Sequence, residues 1–85
     1  MKYRVEVLQP AKKSLKNIES HYVKKIIERI DLLQVNPRHP GCLKLSGKEN
    51  TYRTRVGKYR ILYEIYDAKV LVLVVNVDHR KDVYR

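Results

Sequence analysis

Cysteine, glycine and acidic residues are scarce in this chain, and tryptophan and phenylalanine are missing altogether. A single cysteine, Cys42, excludes an intramolecular disulfide and a cysteine-based zinc set, and its Pro-Gly loop carries nothing that activates a thiol. Gly41, Gly47 and Gly57 sit in turns or loops and form no phosphate-cradling motif, and no Ser-His-Asp set is present. The residues therefore predict no metal site and no small-molecule cofactor. No stretch approaches the roughly 18 consecutive apolar residues of a membrane helix. The N-terminal Met1-Lys2-Tyr3-Arg4-Val5 alternates instead of supplying the apolar segment of a signal peptide, so a cytoplasmic protein without a membrane partner is expected. Linkers, repeats and low-complexity tracts are lacking too, which predicts one domain over residues 1–85. A domain of this size buries only about 60–65% of its unfolded surface, so its core is small.

The shortage of acid gives the chain its character. Nine Asp and Glu face 19 Lys and Arg, for a net charge of +10 and a pI near 9.9. That balance predicts attraction to nucleic acid, an anionic surface or an acidic protein. Both halves of the chain share the excess, so any specific signal lies in how the cations are arranged.

Tyr3, Val5 and Val7 alternate with Arg4 and Glu6, the pattern of a half-buried strand ending near Leu8. Pro10 suits a first helical turn, and Ala11, Leu15 and Ile18 then recur at helical spacing. A second helix is expected from about Glu19 to Tyr22 onward, with Val23, Ile26, Ile27, Ile30 and Leu33 as its apolar stripe. It must stop before Pro37, since the residue preceding proline is steered out of helical geometry. After the loop Asn36 to Gly41 the period changes to that of strands: a short one near Leu43 to Leu45, then Thr51 to Val56, Tyr59 to Tyr66 and Lys69 to Val77. Turns at Gly57-Lys58 and Asp67-Ala68 make these an antiparallel meander. Val70 to Val75 is apolar throughout, which predicts a central strand covered on both faces. The expected fold is thus α/β (α+β): an N-terminal strand, a helical hairpin and a mostly antiparallel meander.

A two-residue turn at Gly57-Lys58 sets Val56 against Tyr59 and therefore Arg55 against Arg60, with Arg53 one pleat further on the same face. Like charges directly opposite each other on a sheet are destabilising, so the arrangement calls for an anion, most naturally phosphate. Tyr52, Thr54, Tyr59, Ile61 and Tyr63 would pack under the helices while the arginines point away. His79, Arg80 and Tyr84 follow the last strand and are expected to fold back over the edge of the arginine face. Guanidinium stabilises phosphorane charge but carries protons poorly. The proton carriers are then sought among Tyr84, whose phenolate neighbouring cations would favour, His79, and Glu49, the one carboxylate of the basic stretch 44–60. Lys44 and Lys48 of that stretch are further candidates for RNA binding. Metal-free chemistry on a phosphodiester fits this set, because RNA supplies its own nucleophile in the 2′-hydroxyl. The seven tyrosines also offer platforms for stacked bases.

Three segments together resemble one known family: Leu43-Lys44-Leu45-Ser46-Gly47; Tyr52-Arg53-Thr54-Arg55-Val56-Gly57-Lys58-Tyr59-Arg60-Ile61-Leu62-Tyr63-Glu64-Ile65; and His79-Arg80-Lys81-Asp82-Val83-Tyr84. The chain resembles the RelE branch of the RelE/ParE toxin superfamily over nearly its whole length. The resemblance implies a RelE-like microbial RNase fold. It also implies a metal-independent, ribosome-dependent endoribonuclease that cuts mRNA in the ribosomal A site and is held inactive by a cognate acidic, RelB-like antitoxin. By position, Arg53 and Arg55 match the paired basic residues at the scissile phosphate and its neighbours, and Arg60 matches the arginine that stabilises the transition state. Arg80 matches the cation near the leaving group, and Tyr84 the aromatic residue that stacks on a base or takes the 2′-hydroxyl proton. Some relatives carry lysine at the positions of Arg53 and Arg55, and others use a carboxylate and a histidine, which keeps Glu49 and His79 among the candidates. The ParE branch shares the fold but inhibits DNA gyrase without catalysis, and a nucleic-acid-binding relative that does not cut is the third possibility.

Overall fold

Apolar residues at two periods, 3.6 in the first half and 2 in the second, sort this chain into helices laid on a sheet. The computed structural model describes residues 2–79. Strand β1 (Arg4–Val7) leads into helix α1 (Gln9–Lys16), which has Pro10 in its first turn and Lys13 and Lys16 in its last, where cations complement the helix dipole. Helix α2 (Ser20–Val35) ends at Asn36, just ahead of Pro37. The short β2 (Leu43–Lys44), β3 (Thr51–Val56), β4 (Tyr59–Tyr66) and β5 (Leu71–His79) follow.

The five strands form one mixed sheet in the order β1-β5-β4-β3-β2, in which β1 runs parallel to β5 and the remaining pairs are antiparallel. Both helices lie on the same side. Ala11, Ile26, Ile30 and Leu33 pack there against Val56, Ile61, Tyr63, Ile65, Val72, Val74 and Val77 in a single core. Tyr63 is wholly buried, and its hydroxyl donates to the Pro37 carbonyl at 2.7 Å, tying the loop after α2 to the centre of the sheet. Burial, with a smaller contribution from the Cys42 thiol, raises the pKa of this phenol.

Three expectations are corrected. Strand β5 is paired on both edges, yet only its Val72, Val74 and Val77 side is buried, whereas Leu71, Leu73 and Val75 are half-buried. The link between α1 and α2 is so short that both helices fall on one face, and among the described residues no second layer covers the other. Ile27 is 42% exposed, because it projects about 100° round the helix from Ile26. Last, the connection at Asp67-Ala68 is no two-residue hairpin. Tyr66 pairs with Leu71, and the intervening residues form a 3₁₀ turn (Asp67–Lys69) closed by Val70 in the left-handed region, at φ 49°.

A polar clasp closes the end of the sheet away from the Gly57 turn. Arg38 holds Asp67 through both guanidinium amino groups at 3.0 and 2.8 Å, and its Nε donates to the Tyr52 hydroxyl at 3.1 Å. The Tyr3 hydroxyl donates to the same carboxylate at 2.7 Å. The clasp thus joins the residue just before β1, the loop after α2, β3 and the β4–β5 turn.

Candidate nucleic-acid interface

The β3–β4 hairpin builds the arginine face. Gly57 takes φ 58° at the first central position of the turn, the geometry of a type II′ connection, and Val56 pairs with Tyr59. Strict alternation then sets Arg55 opposite Arg60 and Arg53 opposite Leu62, on the side of the sheet away from the helices. Arg55 is exposed, and Arg53 and Arg60 are half-buried. The three arginines expected to share a face therefore do.

His79 does not join them. It lies within β5 opposite Tyr59, on the helix side, and its ring meets the Tyr59 ring edge-on at 5.5 Å between centroids. The cause is an irregularity in the β4–β5 ladder between Leu62 and Tyr63: Tyr63 pairs with Val74 while Leu62 pairs with Asn76, leaving one extra residue in β5. Such a bulge exchanges the two faces of everything beyond it. Val77 and His79 move to the helix side, and Asp78 comes to stand opposite Arg60. The Asp78 carboxylate accepts from Asn76 Nδ2 at 3.0 Å. Sequence alternation gave no sign of this acid beside the arginine row.

Lys44 pairs with Tyr52, which puts it on the helix side of the sheet, opposite in direction to Arg53. With Lys48, Ser46 and the exposed Glu49 it lines a shallow hollow of about 470 Å³ at the β2–β3 loop, apart from the arginine row. Arg80 and Tyr84 lie outside the described residues. Among the described residues no three His, Cys, Asp or Glu side chains gather where they could share a metal ion.

The structure adds a residue that the sequence did not single out. Arg29 reaches from α2 to the edge of β3, where its Nη1 donates to Thr54 Oγ1 at 2.5 Å and to the Arg55 carbonyl at 2.9 Å. Thr54 is buried, so Arg29 also satisfies its hydroxyl. Lys25, one turn earlier, stands on the same helix flank. Together with Glu28, Leu32, Arg55 and Gly57 they bound an open cleft of about 410 Å³ between α2 and β3. The signal available in the sequence was the i, i+4 spacing of Lys25 and Arg29 beside the stripe of Ile26, Ile30 and Leu33.

Among the described residues the arginine face thus offers cations and an acid opposite one of them, and places no nucleophile beside them, which suits a substrate that brings both phosphate and nucleophile. The chain is also similar to known proteins. The family model for the ParE toxin of type II toxin-antitoxin systems (parDE) matches residues 5–84. The chain is 30% identical over 86 residues to toxin RelG of Mycobacterium tuberculosis, covering 100% of this chain and 99% of that protein. It is 28% identical over 88 residues to a protein of Methanocaldococcus jannaschii described as putative toxin RelE1, covering 100% and 98%. In three dimensions it resembles a chain of the archaeal RelE-RelB complex from Pyrococcus horikoshii, with a TM-score of 0.82, 26% identity and coverage of 94% and 97%.

Proposed function

This chain belongs to the ParE toxin family of type II toxin-antitoxin systems, in its RelE-like form, and from that premise we propose that it is an endoribonuclease that cleaves mRNA in the ribosomal A site and so stops translation. The observation that carries the reading is the Arg55–Arg60 pair with Arg53 beside it, three guanidinium-bearing residues gathered on one face of the sheet, the residue type that takes phosphate in a two-pronged manner.

The reaction needs little from the protein. The 2′-hydroxyl of the substrate loses its proton and attacks the adjacent phosphorus. The bond from phosphorus to the 5′-oxygen breaks, and that oxygen takes up a proton. The products are a 2′,3′-cyclic phosphate and a 5′-hydroxyl. Arg60 and Arg55 stabilise the charge of the phosphorane, and Arg53 holds a neighbouring phosphate. Arg80 and Tyr84 retain the roles that the resemblance gives them, at the leaving group and at the 2′-hydroxyl.

The partner in this reading is an acidic antitoxin. The relative from Pyrococcus horikoshii is in complex with RelB. Here Ile27, Leu32 and Val35 on α2 are exposed apolar side chains that a partner helix would cover, and the net charge of +10 favours an acidic one.

The test is incubation of purified protein with a defined mRNA, with and without programmed ribosomes, and mapping of the product ends. Cuts at fixed positions within codons that require ribosomes, with cyclic phosphate ends, support the reading. The family model's own description, a parDE toxin, favours a second one, in which the same fold inhibits DNA gyrase without catalysis. Intact mRNA together with inhibited supercoiling would establish that alternative.

A further inference from the structure

Arg29 is held rigidly but is not neutralised. Its Nη1 serves Thr54 and the Arg55 carbonyl, both uncharged acceptors, and it makes no ion pair among the described residues. A guanidinium carries five N–H donors, so those on Nε and Nη2 remain for a ligand, already oriented by the bonds on the other arm. Lys25, exposed one turn away, also makes no ion pair with Glu28 or any other described carboxylate. The cleft between them opens beside Arg55, whose side chain projects from the arginine face while its backbone forms the cleft wall.

We infer that this α2–β3 cleft is a second phosphate-binding subsite, in which Lys25 and Arg29 hold the backbone of the same RNA strand as it passes round the edge of β3 from the arginine face. The inference rests on the RNA reading proposed above and extends it to a surface on the other side of the strand. The two non-bridging oxygens of a phosphodiester, which share its negative charge, match the remaining donors of the Arg29 fork. Two cationic side chains, Lys25 and Arg29, against one acid make the cleft attractive to a polyanion, and Glu28 sets its limit by opposing phosphates on that rim.

The test is anisotropy of a short, labelled, uncleavable 2′-O-methyl RNA titrated with the purified full chain at several salt concentrations. Lys25→Gln should weaken binding and reduce the slope of log affinity against log salt by about 0.7, the value for one single-strand phosphate contact. Glu28→Gln should tighten binding about two-fold, the opposite direction, through loss of a carboxylate. Arg29→Lys keeps the charge but loses the fork, and should weaken binding even where thermal melting shows the variant folded. Arg53→Gln serves as the reference for the arginine face. If Arg53→Gln weakens binding while Lys25→Gln and Glu28→Gln match the parent, the cleft assignment is overturned and the arginine face stands. If the parent fails to bind RNA, the cleft assignment is overturned, while the nuclease reading is decided separately by cleavage on programmed ribosomes. If it binds through Lys25 but cleaves nothing on ribosomes, the cleft stands and the nuclease reading fails. Should Lys25→Gln leave RNA binding intact but weaken binding of polyglutamate, the cleft faces an acidic protein and the RNA assignment is overturned.

Discussion

Arg55 stands directly opposite Arg60 across the β3–β4 pair, and its carbonyl is turned outward, away from that pair, onto the guanidinium of Arg29. An outward carbonyl marks a non-hydrogen-bonded antiparallel pair, the kind in which facing side chains come closest. The hairpin therefore holds two guanidinium-bearing residues in its tightest cross-strand position, next to a turn that admits no slack.

The proposed chemistry makes Arg60 the most sensitive position. Arg60→Ala should lower ribosome-dependent cleavage by about 10²–10³-fold, the usual loss when one preorganised transition-state donor is removed. The circular dichroism spectrum should stay that of the parent, since the buried core lies on the other side of the sheet. Full cleavage by a folded Arg60→Ala protein would place the reaction elsewhere.

Gly57 is fixed by two constraints at once. Its φ of 58° disfavours any side chain, and a Cβ there would come 3.1 Å from Tyr22 Cε1. Gly57→Ala should destabilise the fold by about 1 kcal/mol or more in urea denaturation. Adding Tyr22→Ala should remove the steric part and leave the conformational part, so the double variant should lose less than the sum of the two single changes.

The clasp should give stability a dependence on acid. The paired hydrogen bonds from Arg38, aided by that from Tyr3, lower the Asp67 pKa from the ordinary 3.8 to about 2. Between those values the folded protein binds fewer protons at this site than the unfolded chain does, so the stabilisation is complete above roughly pH 4 and fades as pH falls through about 2. Asp67→Asn should melt below the parent at neutral pH, and the gap should close as the pH approaches 2. A gap of constant size across that window would show that the charge on Asp67 contributes nothing.

Val70 closes the 3₁₀ turn at φ 49°, a conformation that a β-branched side chain adopts at a cost. Val70→Asn should therefore stabilise the protein by about 0.5–1 kcal/mol, which corresponds to a few degrees in Tm for a domain of this size. The backbone bonds from Arg4 N to the Val70 carbonyl and from Val70 N to the Asp67 carbonyl should survive the change. A lower Tm would mean that the half-buried valine contributes more by packing than its backbone costs.

Local rules carried the reading of this chain a long way. Pro10 and Pro37 bracket the helical hairpin, Gly57 sets the turn, and alternation on either side of it dictated that Arg53, Arg55 and Arg60 share a face. Each of these depends only on residues a few positions apart, so the sequence by itself determined them. The family likeness was legible in the same stretch.

Long-range pairing decided the rest. One extra residue in β5 opposite Leu62 and Tyr63 reversed the faces beyond it, took His79 to Tyr59 on the helix side and brought Asp78 to Arg60. No local pattern announces where a strand will bulge, because the bulge is set by how two distant strands match their core residues. The edge strand β2 likewise turned Lys44 away from the arginines, and α2 brought Arg29 across to Thr54 and Arg55. Those contacts join residues 25 or more positions apart for Arg29, and only the packing of a helix against a particular strand edge creates them. The sequence by itself therefore determined which cations the hairpin displays, while the tertiary structure decided which groups stand beside them, because side-chain alternation is a property of one strand and register is a property of two.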